Sequence, residues 1–165
     1  MPDKDRRPGE VWLHEDPAET ANDARLVFIG RVRSPWTQEA PRPRNPREAR
    51  ERGGMARLEI DPAYRPGLAG LETVSHVIVL AWLHAARRTP LVIHPPHASA
   101  PRGVFALRSP VRPNPIGLTV ARLLKADVDA GLLDLDAIDF LDGTPLVDVK
   151  PYRPGIDAVT DAVVG

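Results

Sequence analysis

The chain has 165 residues, with 22 basic and 22 acidic side chains that cancel, 19 prolines, no cysteine and only 5% aromatic residues. That length supports one core-forming domain, and the balanced charge removes any whole-molecule pull toward nucleic acid, so an RNA contact has to come from a local patch. Without cysteine there are no disulfides and no cysteine-ligated zinc or iron-sulfur sites; the charged start Met1–Glu10 is unlike a secretory signal and no long apolar run suggests a membrane span, so the expectation is a soluble, cytoplasmic protein.

Up to about Ala24 the chain is polar without a sustained period, and residues 1–24 are expected to form a flexible N-terminal extension with a brief helical turn near Pro17–Ala21. Residues 25–165 are expected to form the domain. Leu26–Arg33 is apolar, then alternating, and reads as a first strand that ends at Ser34-Pro35. Thr37–Gly54 is rich in proline, arginine and glutamate and reads as a long loop with a short helix after Pro46. Ala56–Ile60 and Thr73–His84 follow as strands, the second supported by the β-branched Val74, Val77, Ile78 and Val79. Further short strands are expected at Leu91–His94, Val104–Leu107, Ile116–Leu124, Leu132–Phe140 and Leu146–Val149. So many strands with so little helix predict a mainly β fold, a single antiparallel β-barrel-like domain of about six to eight strands carrying a long Pro/Arg-rich loop.

Three stretches hold chemistry. In Gly103–Leu118 a short apolar segment delivers Arg108 and Arg112 into a loop stiffened by Pro110, Pro113 and Pro115; proline restricts its own φ and that of the residue before it, a good way to present guanidinium forks to a carboxylate or phosphate. The alternative is a stiff connector with solvated arginines. Arg42, Arg44, Arg47, Arg50, Arg52 and Arg57 form a dense basic stretch interrupted by Glu39, Glu48 and Glu51, which reads equally as a solvated loop or an RNA contact. Asp148 and Lys150 lie on one face of a strand and read as an ion pair at least as readily as a catalytic pair. His94-Pro95-Pro96-His97 is rejected as a metal site, because two adjacent prolines do not give helical ligand spacing and no cysteine is available.

Gly103–Leu118, read with Asp142–Tyr152, closely resembles the TsaA-like family, whose best known members are the S-adenosylmethionine-dependent tRNA N6-threonylcarbamoyladenosine methyltransferases called TrmO. Ile29-Gly30 with Arg33-Ser34-Pro35-Trp36, then Pro43-Arg44-Asn45, then Gly70-Leu71-Glu72 leading to Ser75-His76 agree in order, so the resemblance runs from Leu26 to Asp157. It departs at Asn45, where glutamine is usual, and at Leu107, where threonine is common, and the extra C-terminal domain of longer members is expected to be absent.

The resemblance implies S-adenosylmethionine as cofactor, a tRNA anticodon loop as substrate and a homodimer. It places Pro43, Arg44, Asn45, His84, Ala85, Arg108, Leu118, Asp136, Ala137, Ile138 and Asp139 at cofactor-binding positions. Arg44 or Arg108 suits the cofactor's carboxylate, and Asp136 or Asp139 suits its ribose hydroxyls or amino group. Outside that resemblance His84 reads as a packed or surface histidine, and Asp136 and Asp139 as solvent-facing strand residues. Methyl transfer to N6 is helped by removing the N6 proton, and Asp139, Asp142 and Tyr152 are the candidates to receive it. The implied activity is therefore methylation of N6 of threonylcarbamoyladenosine beside the tRNA anticodon, without a metal. The rival readings are a methyltransferase acting on another RNA or a small molecule, and a non-catalytic nucleotide- or RNA-binding barrel.

Overall fold

A computed structural model describes residues 7–39, 42–96 and 98–163. In chain order its elements are β1 (Val11–Trp12), α1 (Pro17–Thr20), β2 (Gly30–Arg33), α2 (Pro46–Glu51), β3 (Ala56–Ile60), β4 (His76–Trp82), β5 (Pro90–Ile93), β6 (Arg102–Gly103), β7 (Ile116–Asp127), β8 (Leu132–Leu135), β9 (Pro145–Pro151) and α3 (Pro154–Asp157). Two compact units emerge, one made of the chain up to Leu26 with Leu83–Ile116, the other of Val27–Trp82 with the chain from Gly117 onward.

The second unit is a closed barrel in the order β2-β3-β8-β7-β4-β9. Adjacent strands run antiparallel, and their register aligns Val32 with Leu58 and Leu58 with Leu133, so one interior row crosses three strands. All three side chains are fully buried, as are Leu135 further along β8 and Val77, Val79, Ala81, Ala121 and Leu146 on the other strands. Alternation drives this closure, because successive side chains of a strand point to opposite faces, and the interior of a six-stranded barrel accepts only branched aliphatics and small residues. The mainly β barrel expected from the strand pattern is the fold found.

Element boundaries differ in ways that have local causes. The first strand begins at Gly30, with Leu26, Val27 and Phe28 exposed before it; the first ladder bond is the one Ile29 donates to Leu146 O. The third expected strand shortens to His76–Trp82 behind a 3-10 turn at Leu71–Thr73. Val104–Leu107, expected as a strand, is a 3-10 turn at Val104–Ala106 instead. Leu132–Phe140 stops at Leu135, because the Asp136 carboxylate takes the N–H groups of Arg122 and Ala137 and turns the chain out of the ladder.

The first unit carries a three-stranded sheet, β1-β5-β6, pairing Val11 with Val92 and Val92 with Gly103. Residues 11 and 12, inside the stretch expected to be an extension, are thus part of a ladder. Glu10 supports them: partial burial works to raise its pKa, but bonds from the Arg7 and His94 N–H groups and the Trp12 indole outweigh that and hold the carboxyl below its usual range. The Arg87 guanidinium lies 5.0 Å from the centre of the Trp12 ring.

Candidate functional site

The basic stretch of the Pro/Arg-rich loop folds around α2, a six-residue helix capped at both ends. Asn45 accepts from Glu48 N–H at 2.9 Å as the N-cap and Pro46 occupies the first turn. Glu48 reaches back to Arg44 N–H at 3.0 Å. At the other end Gly53 N–H bonds Arg50 O at 3.0 Å and Gly54 N–H bonds Ala49 O at 2.8 Å, a Schellman motif that needs the left-handed φ of +67° at Gly53. Most of the loop's arginines have a carboxylate partner inside the chain: Glu48 is shared by Arg44 and Arg52, Glu51 faces Arg47, Asp136 faces Arg50 and Asp134 faces Arg57. Internal pairing orders this stretch, while the Arg44 and Arg47 side chains stay largely exposed.

Trp36 is the pivot of this region. Its buried indole N–H donates to Ile138 O at 2.6 Å, its ring packs with Ala49 and Ala137, and the Arg52 guanidinium caps it at 4.6 Å from the ring centre. Gly54 has no side chain because a methyl there would overlap the Trp36 ring and stand 3.0 Å from Ala49 O. The neighbouring Ser34 hydroxyl donates to Phe140 O at 2.7 Å, and Asp142 N–H to Trp36 O at 2.7 Å. The Arg33–Trp36 turn therefore binds the whole irregular run from Asp136 to Asp142 to the barrel, and α2 rests on both.

The predicted site residues of the barrel unit fall largely here. Pro43 is buried, and Arg44 and Asn45 sit exposed at the head of α2. Asp136, Ala137, Ile138 and Asp139 form the segment that Trp36 holds, with Ala137 and Ile138 fully buried and the Oδ1 atom of Asp139 shielded from solvent. Asp142 accepts from Ser34 N–H at 3.1 Å and faces Arg33 at 3.4 Å. Leu118 lies elsewhere, on the outer face of β7, and the half-buried Tyr152 follows β9, its N–H bonded to His76 O at 2.9 Å. Asp148 and Lys150 do form the expected ion pair, 2.8 Å apart, and the hydrogen bond that Lys150 donates to the carboxylate raises the Lys150 pKa.

In the first unit, His84 and Ala85 are the two exposed central residues of a turn closed by Ala86 N–H on Leu83 O. Arg108 is exposed, whereas Arg112 has the opposite fate from the one its setting suggested. Its guanidinium folds inward onto Ser109 O at 2.9 Å, Val104 O at 3.1 Å and Leu107 O. Drawing Val104 and Leu107 carbonyls to one cation tightens the backbone into the 3-10 turn found in place of a strand, so Arg112 staples the loop that presents Arg108. His94 Nε2 lies 3.0 Å from Ala98 O, and His97 lies outside the described residues.

Sequence reasoning missed Trp36, Arg50 and Arg112 as the side chains that shape these regions. Trp36 stood in a quoted motif, and only its type, a large aromatic beside proline, hinted at an anchor; nothing distinguished Arg50 from its neighbours in the basic stretch.

The family model of the tRNA-methyltransferase O N-terminal domain matches residues 31–158. A probable S-adenosyl-L-methionine-binding protein of Archaeoglobus fulgidus is 44% identical over 140 residues, covering 85% of this chain and 37% of that protein. The tRNA (adenine(37)-N6)-methyltransferase of Escherichia coli is 35% identical over 140 residues, covering 81% of this chain and 60% of that protein. The crystal structure of TrmO from Pseudomonas aeruginosa superposes with a TM-score of 0.68 at 39% identity, covering 87% of this chain and 62% of that one. This chain thus spans no more than about three fifths of each of these proteins. With the barrel, the Arg33–Trp36 turn and both long motifs in place, the chain belongs to the family of the TrmO N-terminal domain.

Proposed function

We propose that the chain is an S-adenosylmethionine-dependent methyltransferase whose acceptor is N6 of threonylcarbamoyladenosine beside a tRNA anticodon. The observation that carries the cofactor half is the packing of α2, whose head carries Pro43-Arg44-Asn45, and of Trp36 against the distant segment Asp136–Ile138. Their chemistry suits the molecule: the Arg44 guanidinium for its carboxylate, the Asp139 carboxylate for its amino group or ribose hydroxyls, backbone groups of residues 137–139 for its adenine edge. His84, Ala85, Arg108 and Leu118 enter the set through the family resemblance. When bound, the cofactor supplies a methyl group on a sulfonium, open to in-line displacement. The chain's part is then to orient the acceptor and to receive the N6 proton. Asp139, Asp142 and Tyr152 are the candidates to receive that proton, and the Asp142 carboxylate already accepts from Ser34 N–H and faces Arg33.

The acceptor half is supported by charge placement. Between Leu83 and Ile116 the sequence has five arginines and no aspartate or glutamate. Arg112 is satisfied by carbonyls and Arg87 by an indole face, partners without formal charge, so this segment stays cationic in a chain of zero net charge. Phe105, 80% exposed on the stapled turn beside Arg108, offers a flat apolar face of the kind on which an unstacked base rests. A homodimer, implied by the resemblance, belongs to the same proposal and is read from the mass in solution by light scattering.

Two measurements test this reading. Calorimetry on chelator-treated protein should show binding of S-adenosylmethionine; none at millimolar cofactor overturns both enzyme readings and leaves the binding-module alternative. Mass spectrometry of tRNA nucleosides from cells with and without the protein should show loss of the N6-methylated nucleoside in the second. Cofactor binding with an unchanged tRNA profile overturns the acceptor and points to another RNA or a small molecule.

A further inference from the structure

We infer that Arg50 and Asp136 form a positioning latch that holds the cofactor-binding segments in register, and that Asp136 acts through this latch and touches no part of the cofactor. The inference rests on the cofactor reading above. Arg50 Nε donates to Asp136 Oδ2 at 2.7 Å while its Nη2 donates to Val120 O at 3.1 Å, so one guanidinium ties α2 both to the backbone of β7 and to the residue that ends β8. On the other side of the carboxylate, Oδ1 accepts from Arg122 N–H and from Ala137 N–H, each at 2.8 Å. A carboxylate has about four acceptor directions, and three are filled by donors of the chain itself. Ribose hydroxyls or an ammonium group need a carboxylate with directions to spare, and the Asp136 side chain is also only 22% exposed.

The consequence is mechanical. With a cap at Asn45 and a Schellman motif at Gly53, α2 is a short rigid body, so fixing it at Arg50 also fixes the direction of Arg44 and Asn45 at its head. The same carboxylate holds Ala137 N–H and thereby sets the course of Ala137-Ile138-Asp139. One ion pair orients both halves of the proposed cofactor site relative to each other, a task for which two parallel N–H donors on a planar guanidinium are better suited than an ammonium.

The test is a double-mutant cycle in cofactor affinity, with Arg50→Gln, Asp136→Asn, the double variant and Arg50→Lys measured by calorimetry alongside thermal melts. Asp136→Asn keeps an acceptor for Arg122 and Ala137 but turns an amide N–H against Arg50. Each single variant should lose about ten-fold in affinity while the double loses no more than the worse single, the signature of two residues acting through one bond. Arg50→Lys should recover part of the loss, and trypsin should cut the arginine-rich loop faster in Arg50→Gln than in the wild type. Additive losses, with Asp136→Asn far worse than Arg50→Gln, mean direct contact and overturn the latch. Unchanged affinity in folded variants overturns it as well, including the case where only the melting temperature falls. Failure of the wild type to bind S-adenosylmethionine removes the cofactor reading itself, a result distinct from either.

Discussion

A methyl group at Gly54 should do more damage than one at Gly53, although Gly53 is the residue with the unusual backbone. A Cβ at Gly54 overlaps the Trp36 ring and approaches Ala49 O, the carbonyl that receives Gly54 N–H. Relief requires Trp36 to shift, and Trp36 is buried with its indole N–H committed to Ile138 O. Overpacking costs about 1–3 kcal/mol, and leaving a buried donor and acceptor unmatched costs about 1–3 kcal/mol more, so Gly54→Ala should destabilise by roughly 2–6 kcal/mol. For a protein of this size that is a fall in melting temperature of roughly 4 to 24 °C. Gly53→Ala meets no atom within 4 Å, and its cost is confined to a left-handed φ of +67°, about 1 kcal/mol. Differential scanning calorimetry on both variants reads the contrast, and cofactor titration should show weakened binding for Gly54→Ala alone because only that change displaces the Ile138 backbone. Equal melting temperatures for the two variants, or a Gly54→Ala protein that melts within about 1 °C of the wild type, would refute the role given to Trp36.

Arg112→Met keeps the apolar stem and removes the three carbonyl contacts, so the Val104–Arg112 turn should loosen by about 2–3 kcal/mol, visible as faster amide exchange there with little change in the global melt. Arg108→Lys keeps charge but loses the fork, and cofactor or substrate binding should weaken by roughly 1–3 kcal/mol with folding unaffected; full binding would make Arg108 a solvated residue. Asp134 is held below its ordinary pKa, chiefly by the hydrogen bond from Arg57, so its contribution to stability is complete above the unfolded carboxyl value and is lost as pH falls through the folded one. Urea unfolding of wild type and Arg57→Gln should therefore differ near neutral pH and converge in strong acid, below the folded carboxyl's titration; a gap independent of pH would show that Arg57 acts through packing alone.

The barrel was legible because alternation is a local signal. Val32, Leu58, Leu133 and Leu135 each declare an inward face within their own strand, and no knowledge of the partner strand is needed to see it. Strand ends were less legible where a distant group decides them. Nothing near Val104 announces that Arg112 will bend its carbonyl into a turn, and nothing near Leu135 announces that the Asp136 side chain will take the next ladder donors. The same asymmetry governs the site. Family motifs marked which residues to watch, but whether an aspartate or an arginine serves a ligand or the fold depends on its partners, and those came from elements far away in sequence: α2 for Asp136, the 104–109 backbone for Arg112.

That dependence on partners also bears on how a chain of zero net charge would engage the anionic substrate of the proposed function. Counting arginines points to the loop from Arg42 to Arg57, the densest basic stretch, yet Arg44, Arg47, Arg50, Arg52 and Arg57 each face a carboxylate that a phosphate would have to displace. The sparser arginines between Leu83 and Ile116 stand in a segment with no acidic residue, and the two whose partners are carbonyls or a ring keep their full charge. A guanidinium bonded to a carbonyl is positioned without being neutralised, so stapling the turn with Arg112 leaves the field of the segment intact while fixing the backbone beneath Phe105 and Arg108. On the proposed function, the arginines around α2 and the arginines offered to RNA are therefore different sets, with Arg108 alone counted in both. Neutralising Arg87 and Arg102 to glutamine should flatten the salt dependence of RNA binding by about two charges while leaving cofactor affinity untouched, whereas the same exchange at Arg47 and Arg52 should leave that slope where it was.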